Sequence, residues 1–80
     1  MKICFTQLLK SKGLFITDSR LKLLNALSNF NEYVSVSHLS LVSRVEIRST
    51  YNVLTSLLNA GILDVEEGKS VKYKIKEEYK

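Results

Sequence analysis

Arg48, Ser49, Asn52, Thr55, Ser56 and Asn59 recur between Ile47 and Ala60 at spacings that place them on one side of a helix. At about 100° per residue, Ile47, Thr50, Tyr51, Leu54, Leu57 and Leu58 fall on the other side. The apolar stripe needs a core to cover it. The polar side holds one charge and five small hydrogen-bonding side chains, with no Glu or Lys among them. An ordinary solvated helix face uses Glu and Lys, which are better helix formers than Ser, Thr and Asn. Helix stability therefore does not account for this choice of residues. An arginine and an asparagine flanked by hydroxyls match the donor and acceptor pattern of base edges in a DNA groove. A core helix with a polar back is the competing reading, and the stretch alone does not separate the two.

The elements that must hold this helix are legible on either side. Residues 3–12 read as a first helix, with Cys4, Phe5, Leu8 and Leu9 on one face and Lys10 and Lys12 near its end. Gly13 is a suitable stop. Leu14-Phe15-Ile16 is then an extended connector expected to tuck against the core, since three exposed apolar residues would be costly. Thr17 caps a second helix with Asp18 in its first turn, and Leu23, Leu24 and Leu27 form its buried stripe. Leu21, Ala26 and Phe30 flank that stripe. Tyr33-Val34 is a short extended piece. Ser35 or Ser37 caps a third helix through Val36, Leu39 and Val42, ending near Ser43, with His38 toward solvent. Ser43-Arg44-Val45-Glu46 connects it tightly to the helix at 47–60, which is a helix-turn-helix layout.

After Gly61 the period shortens from that of a helix to that of a strand. Ile62, Asp64 and Glu66 alternate with Leu63 and Val65; Glu66-Glu67-Gly68-Lys69 is a turn, with Gly68 able to supply a positive φ. Val71, Tyr73 and Ile75 then alternate with Ser70, Lys72, Lys74 and Lys76, giving a hairpin whose second strand has one apolar and one basic face. The fold class expected is mostly α with a small β-hairpin, a winged helix-turn-helix of three to four helices followed by a two-stranded wing. It forms a single domain over 1–80, with a core at 3–76 and a frayed tail at 77–80.

Composition bounds the function. Eighty residues make one domain, and a chain of this size buries only roughly 60% of its extended surface. A hydrophobic content of 45% with 25% charged residues is that of a globular domain. No apolar run is long enough to span a membrane, and Thr6 and Gln7 interrupt the N-terminus too early for a signal peptide. The expectation is a cytoplasmic protein. The net charge of +4 suits a polyanionic partner without requiring one. One cysteine, Cys4, excludes an internal disulfide, and its apolar neighbours suggest a buried structural thiol. One Cys and one His do not make a zinc site within one chain. No Ser-His-Asp set can be completed around His38, and Gly13, Gly61 and Gly68 are isolated stops and turns rather than a phosphate-cradling loop. No enzyme, cofactor or metal is expected.

The order of motifs carries a family resemblance. Leu9, Gly13-Leu14, Ile16-Thr17, Arg20, Leu23-Leu24 and Leu27 resemble the opening of the DNA-binding domain of the ferric uptake regulator (Fur) family. Val34-Ser35 before Leu39 is similar to its next helix start. Ser49-Thr50-Tyr51-Asn52-Val53-Leu54, with Leu57 and Ala60-Gly61-Ile62, resembles its recognition helix, and Gly68-Lys69-Ser70 with Tyr73 its wing. The resemblance spans residues 8 to 75 and implies the family's N-terminal winged helix only. The family's metal-binding dimerisation domain lies beyond it, and Cys4 and His38 match none of the family's metal ligands. Phe15 and Asn52 stand where the family commonly has basic residues, and the segment between Leu39 and Ser49 is shorter. The resemblance thus implies a stand-alone winged helix with altered or relaxed base preference.

The expected function is a sequence-specific DNA-binding transcriptional regulator on double-stranded DNA. Arg48, Ser49, Tyr51, Asn52 and Thr55 of helix 47–60 would read the major groove. Arg20 and Lys22 would touch the backbone. Lys69 and Lys72, within the wing at 62–76, would reach phosphate or the minor groove. Asp64, Glu66 and Glu67 sit in the same wing and would repel phosphate if they faced it. A monomer making roughly 3 to 5 phosphate contacts would bind weakly and lose affinity with salt. The expectation is therefore a homodimer on a two-fold site or a low-affinity reader. The first helix (Ile3, Cys4, Phe5) and the C-terminal strand are the candidate dimer surfaces. The alternative is a winged-helix module that binds a protein partner, another regulator or a host protein.

Overall fold

A computed structural model describes residues 4–79. Ile3, named above in the first helix and the dimer surface, and Lys80 of the tail lie outside them. The order is α1 (Phe5–Ser11), α2 (Asp18–Ser28), β1 (Val34–Ser35), α3 (Val36–Ser43), α4 (Ile47–Asn59), β2 (Leu63–Glu66) and β3 (Lys72–Ile75), then a 3₁₀ turn at Glu77–Tyr79. The three strands form one antiparallel sheet in the order β1-β3-β2. The winged helix-turn-helix expected from the sequence is the fold observed, with β1 added to the hairpin as a third strand.

Helix ends follow local chemistry. Thr17 Oγ1 accepts from the Arg20 N–H at 3.2 Å and caps α2, and Ser35 Oγ accepts from the His38 N–H at 3.3 Å and caps α3. Two helices stop on the same motif. After α1, Gly13 takes φ 72° while the Leu14 N–H reaches Leu9 O at 2.9 Å. After α4, Gly61 takes φ 80° while the Ile62 N–H reaches Leu57 O at 3.1 Å. In each case the six-to-one bond of a glycine stop leaves an apolar residue beyond the glycine packed near the last turn. The turn from α3 to α4 instead uses Arg44 in the left-handed region, at φ 59°.

The core gathers Leu8 and Leu9 of α1, Leu23, Leu24 and Leu27 of α2, Leu39 of α3, Leu54 and Leu57 of α4, and Ile62, Leu63, Tyr73 and Ile75 of the wing. Thr50 is also fully buried: its Oγ1 donates within reach of Val45 O (3.2 Å) and Glu46 O (3.0 Å). Ser40 Oγ donates to the same Val45 carbonyl at 2.6 Å. These hydroxyls tie the turn to both helices it joins.

Several expectations are corrected. Only Leu14 of the connector packs; Phe15 is 85% exposed and Ile16 is also exposed. The expected cost of exposure is outweighed by anchors at both ends, the Gly13-Leu14 stop and the Thr17 cap, which leave no slack to fold the middle inward. Cys4 is exposed rather than buried: it stands ahead of the first turn of α1, whose buried residues are Leu8 and Leu9. Val42 and Leu41 are exposed, since α3 buries Val36, Leu39 and Ser43 instead. Gly68 has no positive φ, and Val71 is exposed just ahead of β3. Within the tail, Glu77–Tyr79 form a 3₁₀ turn in which Tyr79 packs against the core, the Lys12 Nζ lies 5.3 Å from its ring centre, and Lys74 pairs with Glu77 at 3.1 Å. β3 lies between two partners, with β1 covering Lys72 and Tyr73 on one edge and β2 the whole strand on the other.

Candidate nucleic-acid interface

The helix α4 buries Thr50, Leu54 and Leu57, with Val53 and Leu58 partly covered. Its open arc is therefore Ile47, Arg48, Tyr51, Asn52, Thr55 and Asn59. Tyr51, expected at the edge of the apolar stripe, is 54% exposed. The helix is rotated from the expected setting, so that Val53 turns inward and Tyr51 outward. Burial of Thr50 explains the difference. Spacing already puts Thr50 on the apolar side; its hydroxyl finds carbonyls of the preceding turn, so it sits at the middle of the buried side rather than toward its edge. The open arc carries one guanidinium, one phenol, two carboxamides, one aliphatic hydroxyl and, at its start, the aliphatic Ile47, and no carboxylate.

Ser49 is half-buried on the shoulder of α4. With Asn52 and Val53 it faces Thr17, Ser19 and Arg20 across a shallow groove between α4 and the start of α2. Arg20 does not stand free as a backbone contact would. Its Nη1 donates to Phe15 O at 2.7 Å and its Nη2 to Ser56 Oγ on α4 at 3.2 Å. Lys22 is held by Asp18 at 2.9 Å, one turn back on α2.

The wing is less basic than its second strand suggests. Register places Glu66 opposite Lys72 and Asp64 opposite Lys74, and directly opposed residues share one sheet face. The lysines on that face are matched by carboxylates, and Lys74 has Glu77 as well. Lys69 is exposed in the turn between β2 and β3. Thus the structure groups Arg48, Tyr51, Asn52 and Thr55 on α4, sets Ser49 beside Arg20, and places Lys22 on α2, Lys69 in the turn of the wing and Lys72 on β3.

Asn59, set on the polar side by its spacing, completes the open arc of α4. Arg44 has no signal in the helical spacing. It is exposed in the turn that leads into α4, and it lines a groove with Lys22 between α2 and α3. A basic residue within a helix-turn-helix connection is its only sequence hint.

A metal centre does not assemble from the described residues: no three His, Cys, Asp or Glu side chains cluster among them. His38 meets the ring of Phe30 edge-on at 5.4 Å, and Cys4 is at the start of α1. No helix among the described residues is long and apolar enough to cross a membrane.

The fold and the open helix define a winged helix-turn-helix domain. No protein-family model matches the chain, and no curated protein does. Solved structures share the fold. A zinc-bound manganese uptake regulator superposes with a TM-score of 0.82 at 19% identity, over 91% of this chain and 61% of that one. The Helicobacter pylori ferric uptake regulator Fur, described with three functional metal-binding sites, superposes at 0.75 and 20% identity, over 89% of this chain and 52% of that one. This chain therefore spans only about half to three-fifths of the regulators it resembles in fold.

Proposed function

We propose that the chain binds double-stranded DNA as a transcriptional regulator, with α4 entering the major groove and Arg48, Tyr51, Asn52 and Thr55 facing base edges. The observation that carries the reading is the open arc of α4, which has no carboxylate to repel phosphate and, beyond Ile47 at its start and the amphipathic Tyr51, only polar side chains. Arg48, in the first turn, suits a guanine edge; Asn52, one turn on, suits adenine. The turn that presents this helix is fixed by buried hydroxyls, so the arc meets DNA without reordering. The two solved structures named above are regulators by name, which agrees with a binding rather than a catalytic role. Arg44 and Lys69 supply exposed cations near the turn and in the wing. With the wing lysines matched by carboxylates, a single copy makes few phosphate contacts, and a homodimer on a two-fold site is the arrangement that restores affinity.

The test is equilibrium binding to mixed-sequence duplex DNA at two salt concentrations, beside Arg48→Ala. Binding that weakens with salt and falls with Arg48→Ala is the expected result. Absence of binding at low salt refutes the reading for this chain. A second reading, a protein-binding module, is favoured by the charge cancellation across β2 and β3 and by exposed Phe15 and Leu41, at 85% and 80%. Salt-sensitive binding that ignores Arg48 would leave only a generic basic surface.

A further inference from the structure

The clamp made by Arg20 has a use beyond holding the fold. The guanidinium bridges three parts of the chain: its own helix α2, the connector through Phe15 O, and α4 through Ser56 Oγ. Its Nε is shut off from water with no hydrogen-bond partner. An unpaired buried N–H is a cost, and an apolar side chain of similar length would avoid it. What the apolar residue would lose is geometry. The planar fork fixes two acceptors on different elements relative to each other, which neither a methionine nor the flexible ammonium of a lysine reproduces.

Ser56 lies one turn beyond Asn52 on α4, and Asn52 lines the same groove as Arg20. We infer that Arg20 is a positioning residue for α4: through Ser56 it sets where the helix, and with it Asn52, sits against the start of α2. In this role Arg20 makes no DNA contact of its own. The inference rests on the reading that α4 faces DNA.

The two roles open to Arg20, positioning and phosphate contact, predict opposite patterns in the full chain. The unmodified protein is used first to select a preferred duplex from a mixed-sequence pool. Affinity for that duplex and its single-base variants is then measured at several salt concentrations for Arg20→Lys, Arg20→Met, Ser56→Ala, the Arg20→Met/Ser56→Ala pair, Asn52→Ala and Arg48→Ala, with circular dichroism confirming the fold. For a positioning residue, Arg20→Lys fails to rescue. Arg20→Lys, Arg20→Met and Ser56→Ala each weaken binding by about threefold to tenfold, and the pair is no worse than Arg20→Met alone. The slope of log K against log salt stays that of the unmodified chain, and preference relaxes at the base that Asn52→Ala also affects.

For a phosphate contact, Arg20→Lys binds nearly normally, Arg20→Met lowers the slope by about 0.9, and Ser56→Ala is silent; that result overturns the inference. Ser56→Ala introduces a better helix former at a partly exposed site, so it stays folded even if Arg20→Met does not. Binding that responds to Arg48→Ala while Ser56→Ala and Arg20→Lys are silent refutes the positioning role alone. No binding by the unmodified chain refutes both it and the DNA reading.

Discussion

Replacing Thr50 by valine tests how the turn before α4 is held. Thr50 is fully buried, and its single hydroxyl proton is shared between Val45 O at 3.2 Å and Glu46 O at 3.0 Å. Valine has nearly the same shape, so no cavity forms. Neither carbonyl is orphaned: Val45 O keeps the Ser40 hydroxyl at 2.6 Å, and Glu46 O keeps the Thr50 N–H at 2.8 Å. The expected loss is therefore the net value of one hydrogen bond, about 0.5–1.5 kcal/mol. For a domain of this size, a loss of about 1 kcal/mol lowers Tm by roughly 4–8 °C. Ser40→Ala alone is expected to cost a similar amount, because Thr50 then serves Val45 O. The double variant leaves that carbonyl without a side-chain donor. Its cost should exceed the sum of the single variants by about 1 kcal/mol. Urea unfolding followed by circular dichroism reads all three. Strict additivity, or a Thr50→Val variant as stable as the parent, refutes the shared-carbonyl lock.

Three further predictions follow from the surface and the turns. Asp64→Asn with Glu66→Gln leaves Lys72 and Lys74 without their cross-strand partners. If the wing touches DNA, the salt slope steepens by up to about 1.8, or 0.9 for each added phosphate contact; an unchanged slope shows that the wing stays clear of the duplex. Arg44, at φ 59°, should accept glycine with little change in Tm, whereas Arg44→Val should lose about 1–2 kcal/mol to left-handed strain; equal melting of the two contradicts this. The Cys4 thiol is shifted below its ordinary pKa, chiefly by the backbone N–H of Gln7 and also by that of Thr6, though neither makes an aligned cap bond. Folding thus favours the thiolate, and alkylation of the folded chain should reach its half-maximal rate at lower pH than in urea. Coincident pH–rate profiles would rule out that influence of α1.

Much of the fold is legible from residue types because local physics decides it. Thr17 and Ser35 cap the helices they precede, Gly13 and Gly61 end the helices they follow, and the change of period after Gly61 marks the wing. The presence of α4 and the hydrogen-bonding character of its open side are written in its spacing. Its rotation is not. Spacing puts Thr50 on the apolar side without fixing where that side is centred; the folded chain supplies the carbonyls that set Thr50 in its middle, with Tyr51 out and Val53 in. Side chains that meet partners far along the chain were equally beyond reach. Arg20 looks like a free cation until α4 brings Ser56 beside it. The lysines of β3 look like a basic face until register sets Glu66 and Asp64 across from two of them. Tyr79 looks like the end of a tail until Lys12 comes to lie over its ring. Propensity, capping and periodicity act over a few residues and can be read in order along the chain. Rotation, register and charge pairing depend on which elements meet, and only the tertiary structure decides them.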